Sequence, residues 1–148
     1  MKWQEFTRII IYGAPVATQR VRFDVVHKRA YKPSKTRSAM ERRIMFIKRH
    51  IAQNKLKKLE AQFIRLDLAF YHARPKRLKT KKSDPNAIPK TTVPDLDNLE
   101  KLIMDCLTQA GVWSDDCLVT DKLSIDRWVE IDKEPRTHII IYTQGENQ

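Results

Sequence analysis

Two short acidic groups stand out in the sequence: Asp95-Leu96-Asp97, directly after Pro94, and Asp115-Asp116, just past Gly111 and Trp113. Carboxylates two residues apart in an extended segment can point the same way. Lys101 follows Asp97 by four residues, one helical turn, on the same face. The chain around them is strongly basic, with 29 Lys and Arg against 18 Asp and Glu and a net charge of +11. Such a surplus repels itself unless an anionic partner neutralises it, and phosphate backbones are the commonest such partner. Bare carboxylates would repel that same ligand. A divalent cation resolves the conflict, because Mg²⁺ prefers oxygen ligands and is typically held by one or two carboxylates with substrate phosphate and water. Such ions activate water and stabilise the leaving oxygen of a phosphodiester. Lys101 is then placed to neutralise charge on the scissile phosphate.

Plainer roles fit the same residues. Asp95 can be a helix N-cap and Asp97 a first-turn acid favoured by the helix dipole. Asp97 and Lys101 can be an ordinary surface ion pair, and Asp115-Asp116 can be turn formers. Spacing alone leaves the two readings balanced. The helix between the acidic groups is about 16 residues, so its ends lie roughly 24 Å apart. The second group meets the first only through sheet curvature or through a second subunit, and spacing does not choose between these.

The elements that must position these residues follow from periodicity. Phe6 to Tyr12 is β-branched and aromatic and is ended by Gly13 and Pro15, which predicts a strand and a turn. Arg22 to Tyr31 predicts a short strand or hairpin. Lys35 to about Lys58 predicts a helix, with Met40, Ile44, Ile47 and Ile51 on its apolar side. Its polar face is basic: Arg37, Arg42, Arg43, Lys48, Arg49, Lys55, Lys57 and Lys58. Gln62 to His72 alternates as a strand. Periodicity then fails from Arg74 to Pro94, which carries Pro75, Pro85, Pro89 and Pro94 and a basic run, and is expected to be a flexible loop with a role in binding. Asp95 to Ala110 is the clearest helix, with Gly111 as its stop signal. Its apolar stripe is Leu99, Leu102, Ile103, Cys106, Leu107 and Ala110. Strands at about Cys117 to Ile131, interrupted or bent, and His138 to Thr143 finish the chain. The order predicts an α+β fold, a small mixed or antiparallel sheet with two main helices packed on it.

The length of 148 residues suits one domain, residues 1–148, and 41% hydrophobic residues suffice for a core. Cys106 and Cys117 form no CxxC or Cys/His spacing, which argues against a zinc site, and Cys106 reads as a core thiol. No signal peptide or membrane span is expected at the N-terminus, and the protein reads as cytoplasmic.

The string Pro94-Asp95-Leu96-Asp97-Asn98-Leu99-Glu100-Lys101 resembles the signature of the RusA family of Holliday-junction resolvases, in its phage or prophage branch. The likeness continues in register through Asp105, Leu107, Thr108, Ala110, Gly111, Trp113, Asp115, Asp116 and Val119. The stretch from Gly13 to Phe23 is similar to the family's opening motif. The branch would be expected to carry lysine at position 18 and proline at position 21, where this chain has Thr18 and Val21.

The resemblance implies a RusA-like fold and a dimeric, Mg²⁺-dependent endodeoxyribonuclease, with Mn²⁺ as a substitute, that resolves four-way DNA junctions by paired nicks in recombination and repair. It places the catalytic carboxylates at Asp95, Asp97 and Asp116 and the catalytic lysine at Lys101, with Asp115 as an adjacent metal-ligand candidate. Arg20, Arg22, Lys35, Arg74, Lys76, Arg77, Lys79, Lys81 and Lys82 are expected to contact DNA phosphates. Two symmetric cuts need two equivalent sites, which a C2 homodimer supplies. Ile139, Ile141 and Trp128 on the terminal strands are candidates for its joint, or else core. The competing readings are a basic nucleic-acid-binding module without chemistry, and a nuclease for flaps, other branched DNA or RNA.

Overall fold

Residues 2–19, 22–31, 33–60 and 62–145 are described by a computed structural model. The β-branched run near the N-terminus forms strand β1 (Trp3–Tyr12), three residues longer than its apolar core predicts. The segment Arg22 to Tyr31 is a small separate hairpin of β2 (Arg22–Asp24) and β3 (Arg29–Tyr31). Helix α1 (Ser34–Gln53) follows, then β4 (Ile64–His72), the two-residue β5 (Ile88–Pro89), and α2 (Leu96–Ala110). Strands β6 (Val119–Trp128) and β7 (Arg136–Gln144) complete the chain. The strands other than β2 and β3 form one sheet in the order β1-β7-β4-β6-β5. Only the β4–β6 pairing is parallel. This is the expected α+β arrangement with a mixed sheet. No helix among the described residues is long and apolar enough to cross a membrane.

Strand parity decides which side chains enter the core. In β4, Ile64, Leu66, Leu68 and Phe70 are buried; in β7, Ile139 and Ile141; in β1, Ile9 and Ile11. They form one core with Met40 and Ile47 of α1 and the expected stripe of α2, Cys106 included. Ile139 and Ile141 therefore belong to the core and are not free to form a subunit joint. Their neighbour Ile140 points to the other face, level with Arg8 of β1 and Asp67 of β4.

Two elements end where the chain takes a left-handed residue. Gly111, at φ 84°, stops α2 as predicted. In α1 the same geometry falls on Lys55, at φ 51°. Lys55 N–H bonds the Ala52 carbonyl and Leu56 N–H that of Ile51, which closes the helix at Gln53 rather than near Lys58. The basic residues Lys55, Lys57 and Lys58 thus leave the helix face.

The Arg74–Pro94 stretch also departs from expectation, because it is tied down along its length. Arg74 is 4% exposed. Its guanidinium donates to the carbonyls of Val129 at 2.7 Å, Leu78 at 3.1 Å and Asn86 at 2.5 Å. Lys76–Leu78 is a 3₁₀ turn, Ile131 N–H bonds the Pro85 carbonyl, and β5 lies on the edge of β6. Four prolines erase the sequence period here, yet backbone bonds from one buried arginine replace the missing ladder.

Candidate functional site

Helix α2 organises the acidic residues. Asp95 is its N-cap by backbone position, at φ −69° and ψ 149°, and its side chain makes no capping hydrogen bond. Its carboxylate is exposed, so the plain capping role is not exercised. Asp97, in the first turn, and Lys101, one turn later, are also exposed. No ion pair joins them among the described residues. An ion pair of α2 runs instead from Glu100 to Lys122 on β6, at 2.7 Å. The Val93–Pro94 peptide that leads into Asp95 is cis.

Two further segments converge on this helix end. Thr18 N–H donates to the Asn98 carbonyl at 3.0 Å, so the stretch after β1 lies against the first turn of α2. Arg43 of α1 secures that stretch: it donates to the Ala14 carbonyl at 3.0 Å and to the Ala39 carbonyl at 3.1 Å. At 8% exposure, Arg43 is inside the protein rather than on the basic face expected for it. Burial pushes its guanidinium pKa down. Sequence reasoning missed this role because Arg43 falls among surface arginines at an interval that reads as polar.

The second acidic group is built differently. Asp115 caps the 3₁₀ turn Asp116–Leu118, accepting from Cys117 N–H at 2.9 Å. That bond, followed by one with Asp116, holds the Asp115 carboxyl below the usual range. Hydrogen bonding to Asp115, then burial and the charges of Asp115 and Asp105, push the Asp116 carboxyl above it. Asp116 thus lies within electrostatic reach of Asp105, eight residues along α2 from Asp97, or about 12 Å of helix rise. The structure brings Asp95 and Asp97 together and Asp115 and Asp116 together, but keeps the two groups at different levels of α2. Strand β6 runs back along the helix, as the Lys122–Glu100 pair shows, and carries its first residues away from Asp97. Among the described residues, no three His, Cys, Asp or Glu side chains form a ready metal-holding group.

A hard dication nonetheless fits the first group. Asp95 and Asp97 offer exposed oxygens that no capping bond or ion pair occupies, and two carboxylates with water and phosphate suffice for such an ion. Beside Asp95 opens a cavity of about 410 Å³, lined by Lys90, Thr91, Thr92, Ser124, Asp126 and Arg127 among others.

The expected DNA contacts divide. Lys35 and the run Lys76, Arg77, Lys79, Lys81 and Lys82 are exposed. Arg74 is a correction: its donors are engaged with three carbonyls inside the protein, so it has no face to offer a phosphate. Arg20 lies outside the described residues, and of Arg22 only the backbone is described. The hairpin after Arg22 carries Phe23, Val25, Val26 and Tyr31 exposed to solvent beside Lys28 and Arg29.

Compared with known families, the chain matches the model of endodeoxyribonuclease RusA over residues 12–142. No curated protein sequence matches it. The matched span begins at the end of β1 and closes within β7, so it takes in both acidic groups and every element that positions them.

Proposed function

Since the chain belongs to the RusA family of endodeoxyribonucleases, which resolve Holliday junctions, we propose that it cuts four-way DNA junctions at a Mg²⁺ site founded on Asp95 and Asp97. The observation that carries this reading is the pair of exposed, uncapped carboxylates at the start of α2 in a chain of net charge +11. A cation held there supplies water activation and charge neutralisation at the leaving oxygen. Mn²⁺, with similar oxygen preference, substitutes for it. Lys101 faces the same side one turn on and binds the scissile phosphate as a point charge. Lys35, Lys76, Arg77, Lys79, Lys81 and Lys82, with Arg20 and Arg22, hold the flanking phosphates and set register without reading sequence.

Asp116 completes the carboxylate set in the assembled enzyme, and Asp115 serves it by fixing the turn. Mixing Asp97→Asn protein with Asp116→Asn protein distinguishes a set drawn from one chain from a set shared by two. Recovery of nicking means that it is shared.

The working unit is a homodimer of one-domain subunits, acting in the cytoplasm in recombination and repair. The sheet face away from the helices suits its joint. Ile10, Ala69, Leu123, Ile125 and Ile140 lie there around His138, flanked by the ion pairs Arg65–Asp67 and Arg136–Glu130. A mainly apolar centre inside a charged rim is the usual anatomy of such a surface. Sedimentation near twice 17.5 kDa at micromolar concentration is the expected result.

The deciding experiment incubates the protein with labelled junction, flap and linear duplex, each with Mg²⁺ and with EDTA. Paired, Mg²⁺-dependent nicks in the junction alone support the proposal. Tight binding without cutting in any metal would identify a binding module, and preferential cutting of the flap a different branched substrate.

A further inference from the structure

We propose that Lys90 is a positioning residue: a buried strut, braced by Asp126 and His72, that fixes the backbone delivering Asp95. The proposal rests on the reading of Asp95 and Asp97 as the metal site.

In a chain with so many exposed cations, one lysine among the described residues is sequestered. The Lys90 side chain is 2% exposed. Removing an ammonium from water is costly unless the protein replaces its hydration. Here the replacement is specific. Lys90 Nζ donates to the Thr92 carbonyl at 2.6 Å and to the Val93 carbonyl at 3.2 Å. It lies 3.6 Å from Asp126 Oδ2 and 5.5 Å from the centre of the Trp128 ring. Thr92 and Val93 are the residues directly before Pro94-Asp95, so one ammonium gathers the two carbonyls that lead into the acidic site.

That segment needs such a device. Pro94 has no N–H with which to bond. The cavity of about 410 Å³ separates Thr91, Thr92, Pro94 and Asp95 from Ser124–Arg127 of β6, so little side-chain packing holds the stretch before Leu96 against the sheet. Lys90 crosses this gap. Its own N–H bonds the Asp126 carbonyl at 3.2 Å, which seats it on the sheet edge. Asp126 in turn accepts from His72 Nε2 at 2.6 Å, and as a carboxylate it can only accept, which places the proton on that nitrogen. The line of contacts runs from His72 in β4 through Asp126 in β6 and Lys90 beside β5 to the carbonyls before Asp95. It ties a loop-borne ligand to an interior strand. Groups that orient a metal ligand in this way typically contribute 10–100-fold to metal affinity or activity.

The test compares Lys90→Met, Asp126→Asn and the double variant by three readouts: Mn²⁺ binding followed by EPR without DNA, junction affinity in EDTA, and melting temperature. Asp97→Asn protein defines which Mn²⁺ signal belongs to the site. Lys90→Met should weaken that binding by about 10–100-fold, with junction affinity within about twofold. It should also lower the melting temperature, because Asp126 is left buried without its cation. In the double variant that lone charge is gone and melting should recover. Mn²⁺ binding should stay weak, because the Thr92 and Val93 carbonyls still lack their donor. Recovery of Mn²⁺ binding along with melting would reduce Lys90 to a structural role, and Lys90→Met protein that binds Mn²⁺ as tightly as wild type would overturn the proposal outright. Wild-type protein that binds Mn²⁺ through Asp97 but cuts no junction would count against the proposed function and leave this inference standing. A Mn²⁺ signal untouched by Asp97→Asn would overturn both.

Discussion

The two ends of α2 carry the same residue type in opposite employment. At the N-terminal end, Asp95 and Asp97 are exposed and their oxygens make no capping bond, while the surrounding backbone is held by buried cations, Lys90 and Arg43. At the C-terminal end, Asp115 accepts from Cys117 N–H of the turn it starts, the Asp116 carboxyl beside it is pushed up, and no buried cation among the described residues is bonded to either. Free carboxylates on a fixed backbone suit a ligand that arrives from outside. A carboxylate bonded to its own turn, as that of Asp115 is, already has an oxygen in use. The number of acids in a motif therefore says less than what else their oxygens do.

The comparison can be broken most forcefully at Asp95 and Asp97. Either Asp→Asn change should reduce single-turnover junction cutting by about a thousandfold, consistent with several kcal/mol of charge stabilisation at a metal site, while junction affinity holds or tightens. Normal cutting by Asp97→Asn protein would end the assignment. Asp116→Asn should cripple cutting as well; if it does not, the C-terminal end is structural throughout.

Lys101 lies between the two ends and should show a smaller effect. Lys101→Ala is expected to slow cutting about a hundredfold, in line with removal of one electrostatic donor, with binding within about twofold. A weaker affinity at an unchanged single-turnover rate would make it a plain phosphate ligand.

Affinity itself should depend on the run preceding the N-terminal end. Neutralising Lys79, Lys81 and Lys82 should flatten the slope of log K against log salt by about two to three units, near one for each phosphate no longer neutralised. Replacing Arg74 should lower stability and leave the slope alone, because that guanidinium is engaged with carbonyls. A flattened slope in a stable Arg74 variant would contradict its burial.

The smallest effect sharpens the contrast at the other end. Asp115→Ala removes a cap and should lower the midpoint of chemical denaturation, whereas Asp95→Ala, whose side chain caps nothing, should lower it less. Equal losses would erase the distinction between the two N-cap positions.

Much of this molecule was legible from local pattern. The three- and four-residue apolar steps of α2, its glycine stop and the acids at its start are properties of a single turn of chain, and a 3.6-residue period needs no distant partner to be read. The same holds for the alternation in β4 and for the α+β order. The end of α1 was not legible, because a lysine rather than a glycine adopts the left-handed residue that closes it.

What tertiary structure alone decided was the fate of individual charges and the parity of strands. Arg43, Arg74 and Lys90 share a composition class with exposed neighbours, and nothing in their spacing marks them as interior. Each is buried because a distant segment brings a group that a cation can satisfy: the Ala14 carbonyl for Arg43, the Val129 carbonyl for Arg74, and the Asp126 carboxylate with the Trp128 ring for Lys90. Likewise Ile139, Ile140 and Ile141 are one residue type in sequence. Only the pairing of β7 with β1 and β4 sends the outer two into the core and the middle one to the open face. Sequence dictates which acids stand at the head of α2, since that is a matter of order along one helix. It does not dictate how far Asp116 lies from them, since that distance follows from β6 running back along the helix, a long-range pairing that no local period encodes.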